Sequence, residues 1–348
     1  MEPLKIALIG AGLIGQRHID LIKTNPACQL AGICDVDPGR QAIAGQVETR
    51  FYTDLEHLCQ TEQPDGAIIA TPNQFHAAGA EICARYSIPM LIEKPLAESI
   101  SQAKRIVEIT TTTGVPVLVG HHRRHNPLVQ KAREMVQGED IGQLVSVSIM
   151  WLLRKPDDYF ELGRWRAEPS GGGPILINLI HDIDNLRYIC GDIEQIFAYS
   201  SSAARGFAVE DTVALSFRFK QGGIGSGIIS DVVPAPWSYE LTSGESSAYP
   251  HYGEQNCYIF AGTKGSLTFP QMRVWHYPPE QPPGWYHRLA QYPIEVDRID
   301  PLVAQLDHFL AVIRGEASPL VSAQDGLQTL ATTLAVRESV QRNAPIIL

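Results

Sequence analysis

The segment IPMLIEKP, residues 88–95, carries an apolar run directly into a charged pair and a proline. Glu93 and Lys94 follow a run of strand type, and Pro95 cannot continue a strand ladder because it has no backbone N–H. A charge at the end of a buried strand is costly unless a partner or a ligand compensates it. Lys94 is therefore the first candidate for chemistry in this chain.

The glycine motif GAGLIG is the second candidate. Gly10, Gly12 and Gly15 form GxGxxG between a strand pattern and a helix pattern, where backbone amides bind a pyrophosphate. Asp35 ends the next strand pattern, at the position where a carboxylate binds a ribose 2′-hydroxyl. This combination predicts NAD rather than NADP, since the carboxylate repels a 2′-phosphate, although the nearby Arg40 leaves NADP possible. The other residues expected at the cofactor are Leu13, Ile14, Thr71, Pro72, Asn73, His76, Glu93 and Lys94.

A third group lies in GGGPILINLIHDIDNLRY. Pro174 suits the first turn of a helix, on which Asn178, His181, Asp182 and Asn185 follow i, i+3, i+4, i+7 spacing. Such a polar stripe faces either water or a cleft. The glycines that precede the helix and its otherwise apolar composition favour a cleft.

Histidines and arginines cluster in GHHRRHNP, residues 120–127. For His121, Arg124 and His125 the composition favours a solvated, charged loop. No acidic or cysteine residue has metal-ligand spacing here, so we expect no metal.

Alternating strand and helix patterns position the first two groups. Through the first third of the chain they predict a doubly wound parallel sheet, which binds ligands at the carboxyl ends of its strands. Lys94 lies at one such end. After Asn126, strand patterns with hairpin-type connections predict a mostly antiparallel sheet. If helices cover one face of this sheet, the other must also be covered, so a homo-oligomer through it is expected.

Composition narrows the class of protein. The length of 348 residues favours two domains, and a net charge of −10 without a basic stripe argues against nucleic acid as a partner. The sequence has no 18-residue apolar run, and its first residues enter a strand pattern at once, so neither a membrane span nor a signal peptide is expected. Six scattered cysteines are typical of a reduced, cytoplasmic protein.

The motifs GAGLIG, ATPNQFH, EKPLAES, GHHRRHNP and GGGPILINLIHDID together resemble the family of glucose–fructose oxidoreductases and inositol dehydrogenases. The resemblance covers nearly the whole chain. It implies an α/β fold with a Rossmann domain, residues 1–122, and a C-terminal α/β domain with a large open sheet, residues 123–348. It also implies NAD(P)-dependent oxidation or reduction of a sugar, polyol or related ring.

The resemblance also implies roles for individual residues. Lys94 acts at the active site with an often cis bond to Pro95, His181 is the active-site histidine, and His122 and Arg123 border the substrate. Trp165 and Arg166 in a predicted loop are further substrate candidates, because aromatic side chains stack on sugar rings. The alternative is that these side chains pack on the protein surface or contact another subunit, which is more common for aromatic residues in loops.

The chain departs from the family at one position. Many members carry an aspartate four residues before the histidine, where this sequence has Ile177; the adjacent Asn178 offers a hydrogen bond but no charge. Lys94 and His181 are left to share the proton transfer that accompanies hydride transfer. Histidine titrates near neutrality, so we assign it the proton and Lys94 the substrate oxygen; the reverse fits the sequence equally well.

Two other functions are compatible with the fold. A nucleotide-binding sensor without catalysis would not need Lys94 and His181. An NAD-using glycosidase would oxidise its substrate transiently to assist elimination. A dehydrogenase of sugars or cyclic polyols is the leading prediction.

Overall fold

A computed structural model describes residues 2–161, 163–169 and 171–348. It contains two compact units: one comprises the chain up to His122 together with residues 301–330, and the other comprises residues 123–300 and 331–348. Among the helices of these residues, none is long and apolar enough to cross a membrane.

The elements are numbered along the chain. The strands are β1 Leu4–Ile9, β2 Cys28–Cys34, β3 Phe51–Tyr52, β4 Gly66–Ile69, β5 Met90–Ile92, β6 Val117–Val119, β7 Leu144–Leu152, β8 Ile193–Ser201, β9 Thr212–Phe219, β10 Ile224–Ser230, β11 Tyr258–Gly262, β12 Gly265–Phe269, β13 Arg273–His276, β14 Ala290–Pro293 and β15 Ile346–Ile347. The α-helices are α1 Leu13–Thr24, α2 Gln41–Gln46, α3 Leu55–Glu62, α4 His76–Arg85, α5 Ile100–Thr113, α6 Pro127–Gln137, α7 Asp158–Glu161, α8 Ile180–Cys190, α9 Tyr239–Thr242, α10 Pro301–Ile313 and α11 Ala323–Arg342. Short 3₁₀ turns lie at Pro38–Arg40, Asn73–Phe75, His122–His125 and Arg164–Ala167, and a π-helix lies at Ile175–Leu179.

The first unit is built on a six-stranded parallel sheet in the order β3-β2-β1-β4-β5-β6. Strands β4, β5 and β6 are buried along their whole length, as expected for short apolar strands with both faces covered. The predicted Rossmann-type sheet is confirmed, and its strand order is that of the doubly wound dinucleotide-binding fold.

Helix α10 belongs to this unit because it packs on β4. A Cβ added at Gly66 would lie 2.4 Å from Ile313 Cδ1 and 3.2 Å from Phe309, so the glycine allows the close approach. The segment before α11 also joins the sheet region, since Val119 N donates to Val321 O at 2.9 Å.

The second unit is built on a nine-stranded sheet in the order β14-β13-β12-β11-β7-β10-β9-β8-β15. All neighbours are antiparallel except β7 and β10, which run parallel, so the predicted mostly antiparallel sheet is confirmed. The sequence patterns had not indicated β8, β14 or β15. Helices α6 and α8 pack against each other, and the inward-facing Trp151, Tyr258 and Phe260 are fully buried.

Candidate active site

Each glycine of the motif after β1 has its own physical reason. Gly10 has φ +94°, and a Cβ there would lie 2.7 Å from the backbone of Ala70. A Cβ at Gly15 would lie 2.1 Å from Gly10 O, so helix α1 can approach the loop only with a glycine at this place. A Cβ at Gly12 would meet nothing within 4 Å, which leaves open space beside the loop for a ligand to approach the backbone.

Asp35, at the end of β2, holds the glycine loop. Its Oδ2 accepts a hydrogen bond from Ala11 N at 2.8 Å, and its Oδ1 accepts one from Asp37 N at 2.9 Å. Each carboxylate oxygen has a second acceptor site, and Asp35 is partly exposed, so it can still accept from a hydroxyl group. Arg40 Nε lies 3.6 Å from Asp37 Oδ2, so the negative charge of Asp37 offsets the positive charge of Arg40 beside the glycine loop.

The surroundings of the loop suit a dinucleotide. Leu13 and Val36 are 83% and 85% exposed beside the loop, so an apolar ligand surface would find apolar contacts there. Thr71 Oγ1, after β4, is buried and has no hydrogen-bond partner within the described residues, which leaves one polar group for a ligand to satisfy. Ile14 and Pro72 are exposed and Asn73 is half-buried. These residues fit the cofactor that the motif predicts.

His76 has a different place from the one we expected. It is 1% exposed; its Nε2 lies 2.9 Å from Thr71 O, and its Nδ1 lies 3.1 Å from Pro95 O and 3.2 Å from Leu96 O. Burial lowers the pKa of His76, and the backbone hydrogen bonds oppose this effect. His76 therefore fastens two strand-end loops together, and we no longer assign it to the cofactor.

The segment IPMLIEKP, residues 88–95, is held by the buried carboxylate of Glu93. Glu93 Oε1 lies 2.8 Å from His18 Nε2, and Glu93 Oε2 accepts from Lys94 N at 3.2 Å. Gly120 gives the carboxylate room, since a Cβ there would lie 3.0 Å from Glu93 Oε2. Burial alone raises the pKa of Glu93, but the hydrogen bond to His18 and the charges of His18, Lys94 and His122 bring it below its usual value. Glu93 is therefore an ionised anchor for the strand end.

Lys94 follows this anchor at the carboxyl end of β5. The side chain is half-buried, and the bond to Pro95 is cis, which confirms that prediction. Gly10, Asp35, Thr71 and Lys94 follow β1, β2, β4 and β5, so the parallel sheet brings them to one edge. His122, half-buried, is the last residue of the first segment of this unit.

In the second unit, the two arginines of GHHRRHNP bind the two aspartates of HDID. Arg124 donates to Asp184 through Nε and Nη2 at 2.9 and 2.8 Å, and Arg123 Nη1 lies 3.6 Å from Asp182. The prediction of a solvated loop was wrong, because these two motifs form buried ion pairs. His121, Arg123, Arg124 and His125 are all 4% exposed or less. Arg123 is paired with Asp182 and Glu240, and its role at the substrate stays a prediction.

The polar stripe on α8 faces the interior of the second unit. Tyr258 OH donates to Asp182, and Asn185 Nδ2 donates to Tyr258 OH at 3.2 Å. Burial raises the pKa of Asp182 to about 7, and the charge of Arg123 opposes this effect. The expectation that Asp182 and Asn185 face a cleft was wrong, because β11 supplies their partner.

The π-helix separates Asn178 from that stripe. Glu210 Oε1 accepts from Ile175 N at 3.0 Å and fixes the start of the π-helix, which a carboxylate at a helix N-terminus stabilises. Gly173 is required there, since its φ is +81° and a Cβ would lie 2.4 Å from Glu210 Oε1. The wider π turn changes the spacing before His181, which is 9% exposed, and such turns are frequent at functional sites.

Asn178 binds a lysine that the sequence reasoning missed. Lys155 Nζ donates to Asn178 Oδ1 at 2.6 Å and lies 4.8 Å from the ring centre of Tyr159 and 5.5 Å from that of Trp151. Burial lowers the pKa of Lys155 to about 8, and the charge of Asp231 opposes this effect. The sequence did contain a signal for this lysine. A Lys–Pro pair, Lys155–Pro156, follows β7, just as Lys94–Pro95 follows β5.

Arg166 lies near the same ring. Its guanidinium is 4.3 Å from the ring centre of Tyr159, and its Nη1 donates to Tyr159 O at 2.8 Å. Trp165 is half-exposed beside it. Lys155 and Arg166 thus both contact the ring of Tyr159, and Asn178 is connected to this group by its hydrogen bond with Lys155.

Comparisons with known proteins agree with both halves of the chain. Residues 4–121 match the model of the GFO/IDH/MocA oxidoreductase family, NAD-binding Rossmann fold, and residues 129–268 match that of the GFO/IDH/MocA C-terminal domain. A myo-inositol 2-dehydrogenase from Thermotoga maritima is 25% identical over 99% of this chain and 98% of its own length. A D-apiose dehydrogenase from Paraburkholderia graminis is 24% identical over 100% of this chain and 93% of its own.

A solved structure has the same fold. An oxidoreductase from Agrobacterium radiobacter, in complex with NAD+, L-tartaric acid and magnesium, superposes with a TM-score of 0.83 at 22% identity. The superposition covers 100% of this chain and 98% of that chain.

Proposed function

The chain belongs to the Gfo/Idh/MocA family of NAD-binding oxidoreductases, and from this premise we propose that it transfers hydride between nicotinamide and a CH–OH carbon of a sugar, cyclic polyol or related ring. The observation that carries the proposal is Lys94, held by an ionised, buried glutamate at the edge of the sheet that also carries the glycine loop. Relatives that are dehydrogenases of inositol and apiose support the substrate class. They favour neither a sensor nor a glycosidase.

The first unit supplies the cofactor site. The amides that follow Gly12 and the carboxylate of Asp35 would hold the pyrophosphate and a ribose hydroxyl, and the Thr71 hydroxyl is available for a further hydrogen bond. When bound, NAD supplies the hydride acceptor. Because Asp35 carries a negative charge where a 2′-phosphate would lie, we expect NAD to bind more tightly than NADP.

The chain's own residues handle the proton. An alcohol loses its hydroxyl proton as hydride leaves, so a base must be within hydrogen-bond reach of that hydroxyl. We assign His181 to take this proton and Lys94 to polarise the substrate oxygen. Asp182 is not available as the base, because Tyr258 and Arg123 engage it in the interior of its own unit.

Substitution of Lys94 and His181 tests these roles. Lys94→Ala and His181→Ala should each lower turnover by about 10²–10⁴-fold, since each removes one positioned acid–base group, while NAD binding persists. The double variant should be much less than multiplicatively worse, because groups that act as a unit are non-additive. Turnover is measured as NADH production from a panel of sugars and cyclic polyols.

The exposed Lys104 on α5 provides a matched control. Lys104→Ala should retain full turnover. Near-normal turnover in Lys94→Ala would contradict the catalytic role of that lysine, whatever His181→Ala shows.

We also propose that two copies of this chain associate through the open sheet. Tyr199, Ala214 and Ile228 stand opposite one another on β8, β9 and β10, and Tyr199 and Ile228 are at least half-exposed. Residues directly opposite on paired strands share a face, so this face carries large apolar side chains that a second copy would cover. Ile228→Arg should shift the sedimentation coefficient to that of a monomer. A wild-type protein that is already monomeric at micromolar concentration would refute the proposal.

A cytoplasmic location completes the proposal. All six cysteines are free and buried in the described part of the chain, as is typical of proteins from reducing compartments. Quantitation of thiols in the purified, unfolded protein should give six per chain.

A further inference from the structure

Lys155 is a buried ammonium group whose charge is incompletely compensated. The residue is 7% exposed, and the carboxylate of Asp231 lies 3.9 Å from its Nζ. That carboxylate is bound more closely by Arg205, whose Nε donates to Asp231 Oδ1 at 2.8 Å. Buried charges in proteins are normally paired, so Lys155 has capacity for another anion.

The other charged groups near Lys155 do not neutralise its positive charge. Glu240 contributes a negative charge, but its carboxylate accepts from Arg123 at 2.7 Å and from Trp151 Nε1 at 2.8 Å. The charge of Arg166 adds to the positive potential at Lys155.

The hydrogen bond from Lys155 also fixes the orientation of Asn178. An ammonium group can only donate, so the atom that faces it must be the amide oxygen. The NH₂ group of Asn178 is left as a donor, and it has no hydrogen-bond partner among the residues that the structure describes. An aspartate at this place would offer only acceptors, whereas Asn178 offers a donor.

Arg166 adds a second cation with a spare donor. Its Nε is buried and has no partner within the described ranges, although Nη1 is used. Lys155 Nζ likewise uses one of its three N–H groups in the hydrogen bonds of the described residues. The surroundings of Tyr159 therefore present several donors and two positive charges.

We propose that Lys155, Asn178 and Arg166 form a binding site for a carboxylate group of the substrate. The substrate class is then a sugar or polyol that carries a carboxylate, such as a uronic or aldonic acid, in place of a neutral ring. This inference rests on the proposed function, because it names the substrate of that oxidoreductase. A neutral hydroxyl group would leave the positive charges uncompensated.

Matched pairs of substrates test the proposal. We compare kcat/KM with NAD for glucuronate against glucose and for galacturonate against galactose. The wild-type protein should prefer the acid of at least one pair. Lys155→Met should lower the acid-to-neutral ratio of kcat/KM about 10–100-fold, the size expected for one charged hydrogen bond.

Two more variants make the result specific. Asn178→Asp places a carboxylate against Lys155 at nearly unchanged volume, and it should lower the same ratio at least about tenfold. Lys220→Met removes an exposed lysine of the same unit and should leave the ratio unchanged. A preference for neutral sugars in the wild type, or an unchanged ratio in Lys155→Met, would overturn the proposal.

Binding without turnover separates this inference from the proposed function. Glucuronate should raise the unfolding midpoint of the wild-type protein more than glucose does, and this difference should vanish in Lys155→Met and Asn178→Asp. If the difference in binding is present but none of the four sugars yields NADH, the carboxylate site stands and the proposed reaction fails. If NADH forms with no difference in binding, the reaction stands and the carboxylate site fails.

Discussion

Asp182→Asn is the sharpest test of the buried network in the second unit. In the folded protein, burial raises the pKa of Asp182 to about 7, whereas an unfolded aspartate titrates near 4. Between these two pH values the folded state holds a proton that the unfolded state has lost. The contribution of Asp182 to stability therefore falls as pH rises from about 4 to about 7, and it is constant above that range.

The magnitude follows from the width of this window. Each pH unit is worth about 1.4 kcal/mol, so the wild-type protein should lose about 2–3 kcal/mol from this group between pH 5 and pH 8. Asparagine is neutral at every pH and can still accept the hydrogen bond from Tyr258. The free energy of unfolding of Asp182→Asn, relative to the wild type, should therefore rise by about this amount across the same range.

Urea unfolding followed by tryptophan fluorescence measures the difference. All five tryptophans lie in the second unit, at 151, 165, 237, 275 and 285, so the signal reports on the unit that contains Asp182. A difference between variant and wild type that is independent of pH from 5 to 8 would refute the reasoning. Such a constant difference would show that Asp182 is ionised in the folded protein throughout this pH range, paired with Arg123.

Two other substitutions test single contacts. Asp35→Ser should weaken NAD binding and reduce its preference over NADP, whereas Asp20→Ser, at an exposed aspartate on α1, should keep that preference. Titration of both cofactors decides, and an unchanged ratio in Asp35→Ser would contradict the assignment. Asp184→Asn removes the carboxylate that accepts two hydrogen bonds from the buried Arg124, so urea unfolding should show a loss of about 3–5 kcal/mol. Glu338→Gln, in an exposed pair, should cost less than about 1 kcal/mol. A loss of similar size in both would mean that the Arg124–Asp184 pair contributes no more than a surface ion pair.

The nucleotide half of the site was predictable because its signals are local in sequence. GxGxxG, the following strand and Asp35 all lie within about thirty residues, and the fold brings them together through one strand–helix–strand unit. The cis bond between Lys94 and Pro95 was expected only from the resemblance to the family, whereas the position of this pair at the end of β5 was likewise read from a short motif. A sequence determines such features directly, since the backbone between them is short and its conformations are few.

The substrate half could not be read in this way. Asp182 and Asn185 have the helical spacing of a stripe that faces a ligand, yet β11 supplies Tyr258 from about seventy residues away and turns the stripe into core. The sequence predicted a solvated place for Arg124 and a place beside the substrate for Arg123, whereas the structure pairs them with Asp184 and Asp182 of α8.

Lys155 is the opposite case, a residue that the sequence did not mark but that the structure places in a candidate site. Its sequence neighbours mark it only as a lysine before a proline, and its burial, its spare donors and its bond to Asn178 arise from segments that meet in space. The sequence by itself determined the family, the cofactor motif and the strand-end lysine. The tertiary structure decided which charged groups are paired in the core and which remain for a ligand, because a charge is satisfied by its spatial neighbours and not by its place in the chain.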